Sequence, residues 1–416
     1  ENGWEVLLQA LKGRPILTIL AILASVLLLA GRQFLKHELR ETGSQIRRIS
    51  TDHYRHTLRA FGITVLLALP WSILPLYLSW CLERESSNSD WIRGMSRGLE
   101  WLGLMLAVSA MLIESCRAGG LGIDHFGWSR EGAHRFRNMV RALLIGQAPL
   151  LIPMSSTLFE DNFRHFDSMG RLMLNLALII TAAILARYMH PKTGVFAKTI
   201  QRHPERTFSR FSRLWYALMI LIPASLVILA SAGWVITAMV LTLVFDATLA
   251  VAAFGVLAYC MILRWFIIKE RRLALEKALE ERKARRAALE EPEDQADEGI
   301  MAETEKELDL DVVGEQTRRL LRSLTTIGVV VLVATIWSKT LPLNEVLSGA
   351  SLFGVSLLSI ARGTLLFAVV YTLSRNLPGL LELSGLRNLV SDAGTRYAIS
   401  TIGQYSVAVS YTHLTL

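Results

Sequence analysis

LWYALMILIPASLVILASAGWVITAMVLTLVFDATLAVAAFGVLAYCMILRWFII, residues 214–268, decides the class of fold. Asp246 and Arg264 are its only charged residues. One helix crosses a bilayer with about 20 apolar residues. Arg213 and Lys269 each open a basic loop, so both ends of the run lie on one side of a membrane and an even number of spans lies between them. Two fit, turning at Ser231-Ala232-Gly233-Trp234. Two spans need about 40 residues, which leaves Val235 to Asp246 over. These read as an outer interfacial helix that brings Asp246 near the surface. The other reading places Asp246 inside the membrane, where an ionisable residue flags function. Both stand on sequence alone.

The same pattern recurs along the chain, which is 416 residues long and 52% hydrophobic. Apolar blocks at Pro15–Gly31, Ala60–Cys81, Gly98–Cys116, Ala142–Phe159 and Leu172–Met189 each have the length of a span. Pro70 and Pro75 should kink the second, and Trp71 and Trp80 suit interfacial positions. The loops between them alternate in charge. Arg32 to Arg59 is rich in cations, Arg84 to Arg97 poor, Arg117 to Arg141 rich, the loop before Leu172 poor, and Lys192 to Arg213 rich. The rich loops are cytoplasmic by the positive-inside rule, so the amino end is outside. The net charge of +8 is thereby assigned to topology, not to nucleic acid. The expected fold is all-α: a polytopic helical membrane protein with about nine complete transmembrane helices and the start of a tenth.

Residues 1–14 form an outer-side segment and 15–268 a seven-span region. Residues 269–323 form a cytoplasmic loop. Its first part, KERRLALEKALEERKARRAALEE, favours a long solvated helix that Pro292 ends, and an acidic run follows. Residues 324–375 hold two more spans, the second about Ala361 to Leu373. Then comes RNLPGLLELSGLRNLVSDAGTRYAISTIGQY, Arg375 to Tyr405. Pro378 suits the first turn of a helix, and Leu377, Leu380, Leu383, Leu386 and Val390 make one apolar stripe. Residues 376–396 therefore read as an interfacial linker helix and turn. Residues 397–408 begin a span. Residues 409–416, VSYTHLTL, interrupt it with His413 and four hydroxyl side chains, and read as a non-native tail resembling a translated sequencing adapter.

The run Arg375-Asn376-Leu377-Pro378, Leu380-Leu381-Glu382, Gly394, Tyr397-Ala398-Ile399, Thr401-Ile402 and Tyr405 resembles the MscS superfamily of mechanosensitive channels, in particular its large many-spanning MscK/MscM-type members. Leu308-Asp309-Leu310-Asp311 and Arg318-Arg319-Leu320-Leu321-Arg322 add a weaker match. The resemblance implies a tension-gated channel of the bacterial inner membrane that releases ions and small solutes on hypo-osmotic shock. It implies membrane lipids as partners and a homo-oligomer, typically a heptamer. It also implies a Gly/Ala-patterned pore helix and a soluble β domain, both beyond the end of this sequence. Arg375, Pro378, Gly394 and Tyr397 become gating-linker candidates, and the extra spans become a lipid-contacting rim.

No nucleotide-binding or hydrolase motif is present, and no cofactor or catalytic residue is expected. His53-x-x-His56 has a metal-like spacing but no third ligand, and Cys81, Cys116 and Cys260 are too scattered for a disulfide framework. Glu160, Asp161 and Asp167 read as solvated charge. His125-Phe126-Gly127-Trp128 reads as an interfacial anchor before a basic amphipathic helix, Arg130 to Arg141. The basic loops set topology, and they would also attract anionic headgroups at about 1 kcal/mol per cation. Two other classes remain open: a secondary transporter, which needs midplane charges and discontinuous helices, and a sensor whose functional domain lies elsewhere.

Overall fold

The computed structural model describes residues 3–46, 52–85, 90–158, 166–205, 207–289 and 315–340, with short pieces at 351–352, 355–356, 359–360 and 363–364. The chain divides into two compact units, one of Glu1–Arg47 and Thr51–Phe245, the other of Asp246–Leu416 with Arg48–Ser50.

The first unit is helical throughout its described residues. Its helices are α1 (Gly3–Lys12), α2 (Pro15–Ala30), α3 (Arg32–Gln45), α4 (Tyr54–Ala68), α5 (Pro70–Glu85), α6 (Asp90–Ser115), α7 (Arg130–Leu158), α8 (Arg171–Tyr188), α9 (Ala197–Arg202), α10 (Thr207–Arg210) and α11 (Ser212–Ser231). It also holds the start of α12 (Val235–Leu289). Wide-turned π-helical segments, Leu121–His125 and Phe166–Gly170, precede α7 and α8. The neighbours are α2 with α5, α3 with α4, α5 with α6, α6 with α7, α7 with α8, and α8 with α11.

The turn anticipated at Ser231–Trp234 is present. Gly233 has φ +101°, a left-handed conformation that only glycine adopts without strain. The Trp234 N–H reaches back to the Leu229 carbonyl at 3.2 Å, closing the end of α11. Ala230 and Ala238 flank this turn, both fully buried, and small side chains there let the two helices approach. Met154, Leu174, Leu178, Leu226, Val235 and Met239 complete the cluster, which draws α7, α8, α11 and the first turns of α12 together.

Two boundaries differ from expectation, and the break at Pro70 falls where a kink was expected. Arg130–Arg141 and the following span are one helix, α7, not an amphipathic helix and a separate crossing. The apolar block Ala60–Cys81 is divided between α4 and α5, which bend by 53° at their break. Val235–Asp246 is not a separate helix, because α12 runs unbroken from Val235 through Asp246 and Lys269 to Leu289. The helix-forming run after Ile268 extends α12 on that side, and no Gly or Pro stands near Asp246 to interrupt it.

The second unit pairs the rest of α12 with α13 (Glu315–Thr340), where the Trp337 indole N–H donates to Thr248 Oγ1 at 3.1 Å. A two-residue antiparallel ladder, Ser351–Leu352 with Val355–Ser356, is the one non-helical pairing among the described residues. Six described helices are long and apolar enough to cross a membrane, and eight segments qualify if each bent pair is one span. The expected ninth and tenth spans fall almost wholly outside the described residues, so the count of nine is not reached among them.

Candidate functional site

Two bent pairs shape the amino-terminal end. α1 and α2 bend by 96° at Gly13-Arg14, and Pro15 opens α2, where its missing N–H costs nothing. Pro70 likewise opens α5 and gives no N–H to a carbonyl of α4, which is the physical cause of the second break.

α2 and α5 lie antiparallel, as three contacts in order make plain. The Arg14 guanidinium covers the Trp80 ring at 4.8 Å, Thr18 Oγ1 and Tyr77 Oη lie 2.7 Å apart, and the Arg32 guanidinium covers Trp71 at 5.5 Å. Arg84 covers Trp80 as well, at 4.7 Å. Both tryptophans anticipated as interfacial thus carry cations on their faces. Most of the α2 surface is apolar and exposed, with Ile16 at 73% and Ile19 at 62% exposure, as lipid contact requires.

Three helices meet at the far end of α2, on a carboxylate. Glu114, in the last turn of α6, is 2% exposed. Arg32 Nη2 donates to Glu114 Oε1 at 2.6 Å. Arg117 donates through Nε to Oε2 at 2.5 Å and through Nη2 to Oε1 at 2.9 Å. These charge-assisted bonds join the start of α3 to the end of α6. Nearby, Thr57 Oγ1 of α4 and His125 Nδ1 lie 3.2 Å apart, and Arg59 pairs with Glu38 across α3 and α4. His125 is 3% exposed, so His125-Phe126-Gly127-Trp128 is not an interfacial anchor through its histidine. Lys36, one turn beyond Arg32, is held below its usual range by burial and by the like charges of Arg117 and Arg32. Beside this junction the Cys116 thiol is buried, at 2% exposure. Thiol-directed alkylation at pH 8 is therefore expected to leave Cys116 unmodified in the folded chain and to modify it after denaturation. Rapid labelling of the folded protein, read by mass spectrometry, would contradict its burial.

α6 and α7 approach closely along a glycine edge. A Cβ on Gly94 would stand 2.7 Å from Ser156 Cα and 2.8 Å from the Ser155 carbonyl oxygen. One on Gly98 would stand 3.1 Å from Ile152 Cα. Gly94 and Gly98 form a G-x-x-x-G spacing, the signature of close helix packing in membranes. On the neighbouring face, Ser96 Oγ donates to the Ser79 carbonyl of α5 at 2.9 Å. The Gly94–Gly98 spacing is a signal present in the sequence, and attention to apolar blocks alone passes over it.

Of the residues singled out from sequence, Arg375, Pro378, Gly394 and Tyr397 lie outside the described residues, as do Glu160 and Asp161. Asp167 is described and pairs with Arg171 at 2.8 Å. Asp246 lies within α12, about 16 Å along the axis from Val235 at 1.5 Å per residue. The rings of His53 and His56 meet edge-on at 6.0 Å, and among the described residues no group of three metal-ligating side chains gathers.

Packed helices with long apolar stretches and exposed apolar surfaces define a polytopic α-helical membrane protein. Residues 15–353 match the family described as "Mechanosensitive ion channel inner membrane domain 1", and the chain belongs to that family. It is 27% identical to the miniconductance mechanosensitive channel MscM of Escherichia coli K12, over 93% of this chain and 37% of the relative. It is 26% identical to the mechanosensitive channel MscK of the same organism, over 98% of this chain and 35% of the relative. An uncharacterised MscS family protein of Haemophilus influenzae is 23% identical over 89% of this chain and 34% of its own length. The chain thus spans about a third of the length of these relatives. The names of the first two describe channels, not enzymes.

Proposed function

We propose that this chain is the membrane region of a tension-gated ion channel that releases ions and small solutes on hypo-osmotic shock. The observation that carries the reading is the family match across residues 15–353. The exposed apolar surfaces of α2, α8 and α11 support it, since a channel gated through the bilayer must couple to lipid along its rim. Tension shifts a population toward whichever state has the larger in-plane area. The partners on this reading are membrane lipids and further copies of the chain, a heptamer by family resemblance. Arg375, Pro378, Gly394 and Tyr397 would pass rim movement toward the pore.

Patch-clamp of bacterial membranes carrying the full reading frame that contains this chain, in a host without other stretch-activated channels, tests the proposal. Stretch-activated currents are the expected result, and their absence at the lytic limit contradicts it. A secondary transporter draws on Asp246 within α12 and on the two bent pairs. It predicts substrate-driven transport that Asp246→Asn abolishes, whereas the channel reading predicts no substrate-driven transport.

The proposed location is the bacterial inner membrane, with the amino end periplasmic. Its basis is the alternation of cation-rich and cation-poor loops. Reporter fusions at Arg137 and Arg202 are expected to behave as cytoplasmic, and those at Ser87 and Asp161 as periplasmic. A periplasmic signal at Arg202 would overturn the orientation.

A further inference from the structure

Six cations gather around the single carboxylate of Glu114. Arg32, Lys36 and Arg40 stand at i, i+4 and i+8 on one face of α3. Arg137 and Arg141 stand at i and i+4 on α7. Arg117 lies between them. Arg32, Arg40, Arg117 and Glu114 are within electrostatic reach of Lys36, and Arg117, Arg141 and Glu114 are within reach of Arg137. Glu114 is consumed by Arg32 and Arg117. Lys36, Arg40, Arg137 and Arg141 have no ion pair among the described residues. Of the acidic residues of α3, Glu38 is taken by Arg59, and Glu41 stands 3.8 Å from the His37 ring.

Such an arrangement is unfavourable by itself. Like charges one helical turn apart repel, and here two helices each carry such a row. Burial adds to the cost. The Nε–H groups of Arg32 and Arg137 are buried without a hydrogen-bond partner. The exposure is graded: Glu114 is buried, Arg32, Lys36, Arg117 and Arg137 are half-buried, and Arg40 and Arg141 are exposed. The cluster is therefore open on one side, with unused donors deeper in. Guanidinium groups in numbers, with their planar forks of N–H donors, match the tetrahedral oxygens of phosphate.

We propose that this cluster between α3, α7 and the end of α6 binds a phosphate-bearing anion, supplied by the headgroup of an anionic phospholipid or by free phosphate. The cluster ends an apolar helix pair at the level where Arg32 covers Trp71, so a headgroup there would have its acyl chains beside α2. The inference does not depend on the channel reading or on which side of the membrane faces the cytoplasm.

The unmutated full chain provides the first test. It is placed in phosphatidylcholine nanodiscs with and without phosphatidylglycerol, and acylation of Lys36 by an amine-reactive ester is followed by mass spectrometry. Exposed Lys12, at the end of α2 opposite to Arg32, is the internal reference. Phosphatidylglycerol is expected to slow Lys36 about tenfold and to spare Lys12. Slowing by inorganic phosphate in neutral nanodiscs, but not by phosphatidylglycerol, assigns the same site to soluble phosphate. Slowing by neither, or equal slowing of Lys12, overturns the proposal. The second test compares lipid retention by native mass spectrometry. Arg137→Gln with Arg141→Gln removes two cations without breaking an ion pair, and is expected to weaken phosphatidylglycerol retention about thirtyfold. Arg202→Gln with Arg210→Gln makes the same charge change elsewhere and is expected to leave retention unchanged. An equal fall in both variants means general attraction to the surface and overturns a defined site.

Discussion

Replacing Glu114 by alanine is expected to destabilise the first unit by about 3 kcal/mol, the range seen when one partner of a buried ion pair is removed. Its carboxylate accepts from Arg32 at 2.6 Å and from Arg117 at 2.5 Å, and both arginines are three-quarters covered. Without it, two positive charges remain packed beside Lys36 with nothing to neutralise them. The apparent Tm of the detergent-solubilised chain should fall by roughly 6–12 °C, at about 2–4 °C per kcal/mol for a unit of this size. Glu83→Ala removes an exposed carboxylate from Arg97 and should shift Tm by less than about 3 °C. The double variant Glu114→Ala/Arg32→Gln should recover part of the loss, because one of the stranded charges is gone. A Glu114→Ala protein that melts with the Glu83→Ala control would show that the junction does not hold α3 to α6.

The second large effect has opposite signs at two glycines. Gly94→Ala puts a Cβ 2.7 Å from Ser156 Cα and 2.8 Å from the Ser155 carbonyl. Both obstacles are backbone, so α6 and α7 must separate. Overpacking of this kind costs about 1–3 kcal/mol. Gly94→Val, with two more carbons in the same gap, should exceed that range. Gly62, in α4, has nothing within 4 Å of the point where a Cβ would stand. Gly62→Ala should stabilise by up to about 1 kcal/mol, because alanine loses less freedom in a helix. Thermal stability measured by size exclusion after heating separates the two. A stabilised Gly94→Ala protein would mean that the α6–α7 approach is looser than the structure has it.

The sequence made the positions of the apolar blocks legible, because span length and loop charge are local properties. The turn at Ser231–Trp234 was legible for the same reason: Gly233 supplies the left-handed residue that ends α11. The Arg32–Glu114 pair was not legible. Its partners are 82 residues apart, and Arg32 is one cation among 44 lysines and arginines. Nothing local to Glu114 distinguishes Arg32 from the others. Asp246 misled in another way. A charge inside an apolar run suggested a boundary, whereas the helical propensity of its neighbours carries α12 through it. The break at Pro70 was legible, because a missing N–H is a local property, whereas the 96° turn between α1 and α2 before Pro15 was not.

The break between α4 and α5 has a mechanical consequence. Two legs of about 22 Å and 24 Å, at 1.5 Å per residue, meet at 53°. With one leg upright, the other reaches sideways by about 19 Å, so the bent pair casts a wider shadow on the membrane plane than a straight rod would. Stretching a sheet does work equal to the tension multiplied by the gain in shadow area. At the joint Pro70 interrupts the backbone ladder, and the Ser72 hydroxyl donates back to the Leu69 carbonyl at 3.0 Å. On the channel reading proposed above, tension would favour the more splayed arrangement of this elbow, and slack the straighter one.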